Sequence, residues 1–551
     1  MKLRITALVV KTNAYPRLTA WHAPSASKSL DRIPTYLPTY LLYLPPRFSQ
    51  ERLHQQSSSK QQQAALPATP VATGSNSTAT SNGIPTCILL RSRSPSLSAI
   101  ISMQAIPEDA SQDAFSYITP MGYMSSSSCG YCRRSGNGRS YYTRTLSMSP
   151  ECYQALVDRS WRRSGNLLYR PNQRNACCPH YTLRIDSAQF RPTKDQRQAI
   201  NRFNKFVIGD AYAKEAARRY PKSREQAHKR DTEFQLTERI HESESQSLKR
   251  PPEPAHSFDV TLELDDFTEE KYAVYENYQR VVHKESSSEI SRDGFAKFLC
   301  NSPLRRGTMA MSDGQERRLG SYHQCYRLDG RLVAIGVLDL LPHAVSAVYF
   351  LYHESIHVWS PGKLGALREV ALAMEGGYRW WYPGFYIHTC PKMRYKMDYS
   401  PQQILNPDNM GWVEVSNEVL AKFDSHGYLD FSNTGDGQAA KAKQDQADGI
   451  MDVEDKPDDA ENDSDSAGDY VSLLESNMPG LPPMEDLYSY DYDTVPVRLR
   501  AGIYAAVDVF QWQNENDDIR YDIGPRGQIA QMAAAVGLDL MPQLCIDIRR
   551  S

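Results

Sequence analysis

The sequence predicts an α/β (α+β) protein in which a small metal- or cluster-binding N-terminal domain precedes a larger sheet domain. Three observations carry that expectation. Strand-like alternation flanks a crossover helix between residues 320 and 390. Four cysteines gather in "SSCGYC" and "NACCPHY". Two polar stretches of biased composition read as a disordered leader and an acidic disordered insert. A chain of 551 residues, 40% hydrophobic and 10% aromatic, has material for two to four domains. The mean hydropathy of −0.57 fits globular parts diluted by polar ones. No apolar run approaches the roughly 20 residues that span a bilayer, so no membrane association is expected.

In chain order, residues 1–115 form the low-complexity leader, basic and Ser-rich, with only Asp31 and Glu51 as acids. Such a composition also suits a transit peptide, or a stretch outside the mature protein. Residues 116–211 form the Cys-rich basic domain. Within it, "SPECYQALV" has the serine and proline of a helix start, "YTLRIDSAQF" alternates as a strand, and "TKDQRQAINRFNKFVIG" is an amphipathic helix stopping at Gly209. Residues 212–256 are charged and Pro-punctuated, a partly helical linker. Residues 257–431 open with the strand "FDVTLELDD" and the helix "TEEKYAVYENYQRVVHK". Three strands separated by "LDG" and "LPHA" follow, then the helix "GKLGALREVALAMEGG" and the strand "WWYPGFYIHTC". Residues 432–481 are the acidic insert. Residues 482–551 carry a last helix, in "RGQIAQMAAAVGLDL", expected to dock on the preceding domain.

The net charge of −2 hides an asymmetry. Nine arginines stand between Arg133 and Arg174 against Glu151 and Asp158 alone, whereas residues 445–475 hold twelve acids against Lys456. Tyr141, Tyr142, Tyr153, Trp161 and Tyr169 interleave with the arginines. Guanidinium groups grip phosphates and aromatic faces stack on unpaired bases, so structured RNA is a natural partner, with a merely solvated basic face as the plain alternative. The scattered remaining cysteines fit a reducing compartment better than a disulfide scaffold.

Thiolates donate polarisable negative charge, and four of them complete a tetrahedral shell. Cys129 and Cys132 on one turn, with Cys177 and Cys178 further on, read as one metal or iron–sulfur site, with His180 as a spare donor. Unrelated thiols or a redox pair are the alternatives. "HESIH", from His353 to His357, has the zincin spacing, but that spacing works only within a helix. Here a strand precedes it and Ser360, Pro361 and Gly362 open the next helix, so no protease site is expected.

The segments "CGYC", "YYTRTLSMSPECYQALVDRSWRRSGNLLYRP", "CCPHYTLRI", "GSYHQCYRLDGRLVAIGVLDLLP" and "FYIHTCPKMRYKMDYSP" resemble the eukaryotic arginyl-tRNA–protein transferase family. The resemblance covers residues 117–210 and 258–430 and returns at "IAQMAAAVGLDL". It implies transfer of arginine from Arg-tRNA, the co-substrate, to the α-amine of proteins that begin with Asp, Glu or oxidised Cys. Such arginylation marks them for ubiquitin-dependent degradation, with an N-degron ubiquitin ligase downstream and a cytoplasmic or also nuclear location. It further implies a GNAT-like acyltransferase domain, and an iron–sulfur cluster or zinc on Cys129, Cys132, Cys177 and Cys178. Cys325 departs from a glutamine common in that family. An acetyl-CoA-dependent GNAT enzyme is the alternative, but "SPGKLGALRE" does not fit a pyrophosphate loop.

An aminoacyl ester is already activated, so the chemistry needs a positioned neutral amine, a cation for the acidic side chain and a carboxylate for the arginyl group. Asp339 is the expected grip on the donor arginine or the amine, with a strand-end cap as its plain reading. His323, Gln324 and Tyr326 on one strand complete the expected catalytic set, Gln324 and Tyr326 sharing a face that His323 leaves. Lys363, one turn ahead of Arg368, sits where a helix N-terminus would hold tRNA phosphates. Tyr386, His388, Lys392, Arg394 and Lys396 are the remaining expected substrate or tRNA contacts.

Overall fold

The computed structural model describes residues 114–125, 129, 131–132, 138–311, 314–425, 428–429, 471–512 and 518–549. These all fall in the compact unit Thr39–Ser551. The leader up to residue 113 and the acidic insert up to residue 470 lie outside the described residues. Among the described residues no helix is long and apolar enough to cross a membrane.

Among the described residues, seventeen strands alternate with short helices. They are β1 (Ser116–Ser125), β2 (Arg139–Ser147), β3 (Arg162–Ser164), β4 (Leu167–Pro171), β5 (Tyr181–Asp186), β6 (Phe258–Leu264), β7 (Gly307–Ala310), β8 (Glu316–Leu328) and β9 (Arg331–Leu341). They continue with β10 (Ala344–Tyr352), β11 (Trp380–Tyr382), β12 (Phe385–Tyr386), β13 (Gln402–Leu405), β14 (Trp412–Glu414), β15 (Pro496–Leu499), β16 (Gly502–Ala505) and β17 (Leu544–Asp547). The first sheet runs β16-β15-β17-β1-β2-β4-β3, and the second β14-β13-β5-β11-β10-β9-β8-β6, with β12 on β5 and β7 on β8.

The sequence pattern places most elements correctly because their local signals are strong. Ser149 caps the helix Pro150–Val157 by accepting from the Cys152 N–H, and Pro150 occupies its first position. Thr193 and Gln196 form a capping box on the helix Lys194–Ile208, which stops at Gly209 with φ +78°. Asp329 and Gly330, both at positive φ, turn β8 back into β9. The helix Pro361–Glu375 crosses from β10 to its parallel neighbour β11 and packs Leu367, Val370 and Ala371 over the second sheet.

Long-range pairing gives four differences. β5, expected in the N-terminal domain, joins the second sheet between β13 and β11. The C-terminal segment, expected to dock on the transferase domain, pairs β17 with β1 in parallel and so completes the first sheet. "WWYPGFY" is two short strands, because Pro383 lacks a donor and Gly384 takes φ +85°. Finally, the boundaries expected for the linker and the insert shift. Leu236 and Ile240 pack against the second sheet's helix, and Leu473 and Met478 are buried in the largest core with Ala530 and Ala533 of the helix Pro525–Val536. An apolar residue in a charged stretch is invisible to composition, but it still gains by burial once a groove exists.

The two sheets are tied by one desolvated ion pair. Arg163 of β3 donates from Nε and Nη2 to the two oxygens of Asp339 on β9, both at 2.7 Å, and Nη2 also reaches Ser321 Oγ at 3.0 Å. Neither side chain is measurably exposed beyond 1%. Removing one member strands a buried charge, so Arg163→Met is expected to destabilise the protein by about 3–5 kcal/mol. Urea unfolding of Arg163→Met, Asp339→Leu and the double variant tests this. The double variant should recover a substantial part of the loss, and a single-variant effect below about 1 kcal/mol would contradict the assignment.

Candidate functional site

The four cysteines converge from two loops, one after β1 and one entering β5. Their sulfurs all lie within 4.8 Å of one another, and Cys132 Sγ is 3.4 Å from Cys177 Sγ. Cys129 and Cys178 are buried, Cys177 is half-buried and Cys132 is exposed. Ile387, Met393 and Cys390 pack around them. Four soft donors at this spacing fit a tetrahedral metal, and among the described residues they are the one His/Cys/Asp/Glu group so arranged. His180 is not a member. Its ring sits edge-on to Tyr131 at 5.1 Å and to Phe385 at 5.2 Å, with Nδ1 buried and without a hydrogen-bond partner. The HExxH spacing is not on an α-helix: residues Glu354–Trp359 form a 3₁₀ turn, His353 Nδ1 accepts from the Ser355 N–H, and His357 meets the Tyr352 hydroxyl.

On β8 the alternation holds. Tyr326 Oη donates to Gln324 Oε1 at 2.7 Å on one face, and Tyr326 lines a narrow, mostly apolar cleft of about 40 Å³ with Phe203, Phe350, Trp359 and Arg368. His323 is fully buried on the other face, with Nε2 3.0 Å from the Leu299 carbonyl. Burial pushes it down to about 4, so it is neutral, and it donates to that carbonyl rather than joining Gln324 and Tyr326. Asp339, expected to grip a substrate, is instead saturated by Arg163 and has no exposed surface. Its strand-end location led to the substrate reading, and the arginine from the other sheet, invisible locally, decides against it. Cys325 is fully buried and its thiol is pushed up to about 12 by burial, an inert environment rather than a redox-sensitive one.

Lys363 is ion-paired with Asp195, and Ser360 makes no side-chain cap; it adopts φ +57°. Arg368 pairs with the buried Glu244 and with the Ile240 carbonyl, and so holds the 236–244 segment against the cleft. The 3₁₀ turn Pro391–Asp398 exposes Lys392 and Arg394, Arg394 donating to the His388 carbonyl at 3.2 Å. Lys396, by contrast, is buried, donates from Nζ to the Phe385 carbonyl at 2.7 Å, and is pushed down to about 7 by burial and by Arg162. Tyr386 Oη lies 2.7 Å from His388 Nδ1, and His388 stacks on Phe423 at 5.2 Å.

Two buried ionisable groups escaped sequence reasoning. Glu369 is buried, its Oε2 accepting from Trp381 Nε1 at 2.9 Å, and burial pushes its carboxyl up to about 8. Its Oε1 lies 3.5 Å from where a Cβ on Gly336 would stand, a position that the Gln324 Cβ approaches to 3.8 Å. A carboxylate amid "ALREVALAM" was the available signal. The other, Arg162, is buried beside Phe385. The structure therefore places Arg368 and Tyr326, with Gln324 bonded to it, at one cleft, and carries Lys392, Arg394 and Lys396 on the turn whose Met393 packs against the sulfurs, while Tyr386 and His388 pack on Phe423. His323, Asp339 and Lys363 stand apart from both groups.

Family models for the N terminus and the C terminus of arginine-tRNA-protein transferase match residues 127–198 and 270–406. Arginyl-tRNA–protein transferase 1 of Drosophila melanogaster is 26% identical over 405 residues, covering 55% of this chain and 83% of that protein. Its counterpart in Saccharomyces cerevisiae is 28% identical over 321 residues, covering 53% and 59%. Both parts of this chain are thus similar, in order, to the arginyl-tRNA–protein transferase family. An aspartate/glutamate leucyltransferase of Pseudomonas fluorescens is 29% identical over 293 residues, covering 52% of this chain and 94% of that protein.

The segment matched by the N-terminal model thus contains the sulfur site and Arg162, and the one matched by the C-terminal model contains Tyr326, Phe350, Trp359 and Arg368 of the cleft together with the basic turn. Because the sulfurs contact Ile387 and Met393, metal occupancy should order the turn that carries Lys392 and Arg394. Cys178→Ala is expected to abolish metal retention and lower the melting temperature, whereas Cys390→Ala should retain metal at the wild-type ratio. Elemental analysis with thermal denaturation of both variants checks this.

Proposed function

We propose that this protein moves arginine from Arg-tRNA to the N-terminal amine of proteins beginning with Asp or Glu, and that its products enter ubiquitin-dependent degradation in the cytoplasm. The observation that carries the reading is the match of both arginine-tRNA-protein transferase models, in order, to the two parts of the chain that meet at the site. Relatives named as aspartate/glutamate leucyltransferases support acidic acceptors with a different donor amino acid. An acetyl-CoA donor is not favoured.

The chemistry asks little beyond placement. Bringing the ester and the amine together supplies several kcal/mol of the barrier. The cleft beside Tyr326 and Gln324 receives the ester end of the aminoacyl-tRNA, and the exposed Lys392 and Arg394 contact its phosphates. Glu369, in the minor fraction that is ionised at neutral pH, is the proton acceptor: a carboxyl held near about 8 matches an α-amine whose pKa is near about 8. Zinc is the preferred occupant of the sulfur site. A tetrahedral ion with sulfur bonds of about 2.3 Å spaces its ligands by about 3.8 Å, in keeping with sulfurs that all lie within 4.8 Å, whereas a cluster holds terminal sulfurs further apart.

Incubation with labelled Arg-tRNA should label a peptide beginning with Asp and leave one beginning with Gly unlabelled; equal labelling of both would refute the acceptor specificity. Glu369→Gln should lower kcat by about 10²–10⁴-fold with tRNA affinity retained. The same variant tests the linkage. Folded Glu369 keeps its proton to about pH 8, against an ordinary 4.5, so the folded state holds the extra proton between those values and stability falls as pH rises through that window. Lys396 acts with the opposite sign, but only between about 7 and 10.5. From about pH 5 to pH 7, Glu369→Gln should therefore remove a decline of up to about 1.4 kcal/mol per pH unit, read by urea unfolding at each pH.

A further inference from the structure

Arg162 and Arg163 are neighbours on β3, and strand alternation sends them to opposite faces. Arg163 spends the Nε–Nη2 edge of its guanidinium on both oxygens of Asp339. Arg162 has the same edge with no partner: Nη1 donates to the Val157 and Trp161 carbonyls at 3.2 and 2.7 Å, while Nε and Nη2 are buried and unbonded among the described residues. An arginine only 7% exposed with two orphan donors is an expensive arrangement unless something binds there.

Two nitrogen bases stand with it around one ring. The Arg162 guanidinium lies 4.8 Å over the Phe385 ring, His180 meets the same ring with its own buried, unpartnered Nδ1, and Lys396 is bonded to the Phe385 carbonyl. The nearby carboxylates are engaged elsewhere: Asp158 accepts from Tyr382 Oη at 2.5 Å, and Glu369 accepts from Trp381. We infer that the free edge of Arg162, flanked by His180 and Lys396 around Phe385, is the subsite that binds the side-chain carboxylate of the acceptor's first residue. The inference rests on the acceptor specificity proposed above and names Arg162 as its determinant. The parallel fork matches a carboxylate oxygen for oxygen, as Arg163 demonstrates one residue away, and a lysine cannot reproduce it.

The test is calorimetric titration of the metal-loaded full chain with two peptides identical except for an initial Asp or Asn. The wild type should bind the Asp peptide at least about 10-fold more tightly, and Arg162→Lys, with the charge kept and the fork lost, should reduce that ratio to about 2 or less, at unchanged melting temperature and tRNA affinity. A wild type that binds both peptides equally, or an Arg162→Lys protein that keeps the wild-type ratio, overturns the subsite. Should Arg162→Lys fail to fold, Lys396→Met replaces it: a fall of at least about 3-fold in the ratio supports the subsite, and an unchanged ratio overturns it. Loss of the ratio in the variant with no arginine transfer by the wild type sustains the subsite and refutes the transfer. Transfer to Asp peptides with a ratio that Arg162→Lys leaves unmoved refutes the subsite alone.

Discussion

The buried pair of Arg163 and Asp339 is the constraint on which the arrangement depends. Two opposite charges with almost no exposure are tolerated only in a fixed bidentate geometry, and that geometry clamps β3 of the first sheet to β9 of the second. A three-residue strand has little register of its own, so the clamp also sets which face its neighbours present. With Arg163 turned towards Asp339, Arg162 is turned towards Phe385. The same carboxylate that looked like a substrate grip is thus the part that positions the site without touching it.

The sulfur site and the basic turn form the second coupled unit. Tyr131 lies between Cys129 and Cys132 in sequence and packs on His180, while Ile387 and Met393 bracket the turn that holds Lys392 and Arg394. Four thiols at this spacing would repel as thiolates without a cation, so a metal bound there would hold the two loops together and, through them, the turn. Loops without a core of their own gain most from such a clamp, because little hydrophobic burial opposes their conformational entropy.

The protein keeps Glu369 and Lys396 buried, where water does not reach. Burial raises the acid and lowers the base, so their ordinary order of ionisation is compressed into the neutral range. Groups poised there exchange protons with an α-amine at little cost, which suits a reaction whose acyl group arrives activated.

Much of the candidate site was legible in the chain. Capping residues, the Asp-Gly turn and period-two alternation act over a few residues, so they fixed the helix starts, the β8–β9 hairpin and the shared face of Gln324 and Tyr326. The cysteine spacing, with its chemistry of soft donors, singled out the four thiols whose sulfurs the fold brings within 4.8 Å of one another. Only the tertiary structure decided where β5 and β17 pair, that Asp339 and His323 are sealed away, that Lys363 is taken by Asp195, and that Arg162 keeps an unused edge. The reason is range: local backbone signals act between neighbours, whereas desolvation and ion pairing are set by partners such as Arg163 and Asp339, 176 residues apart in sequence.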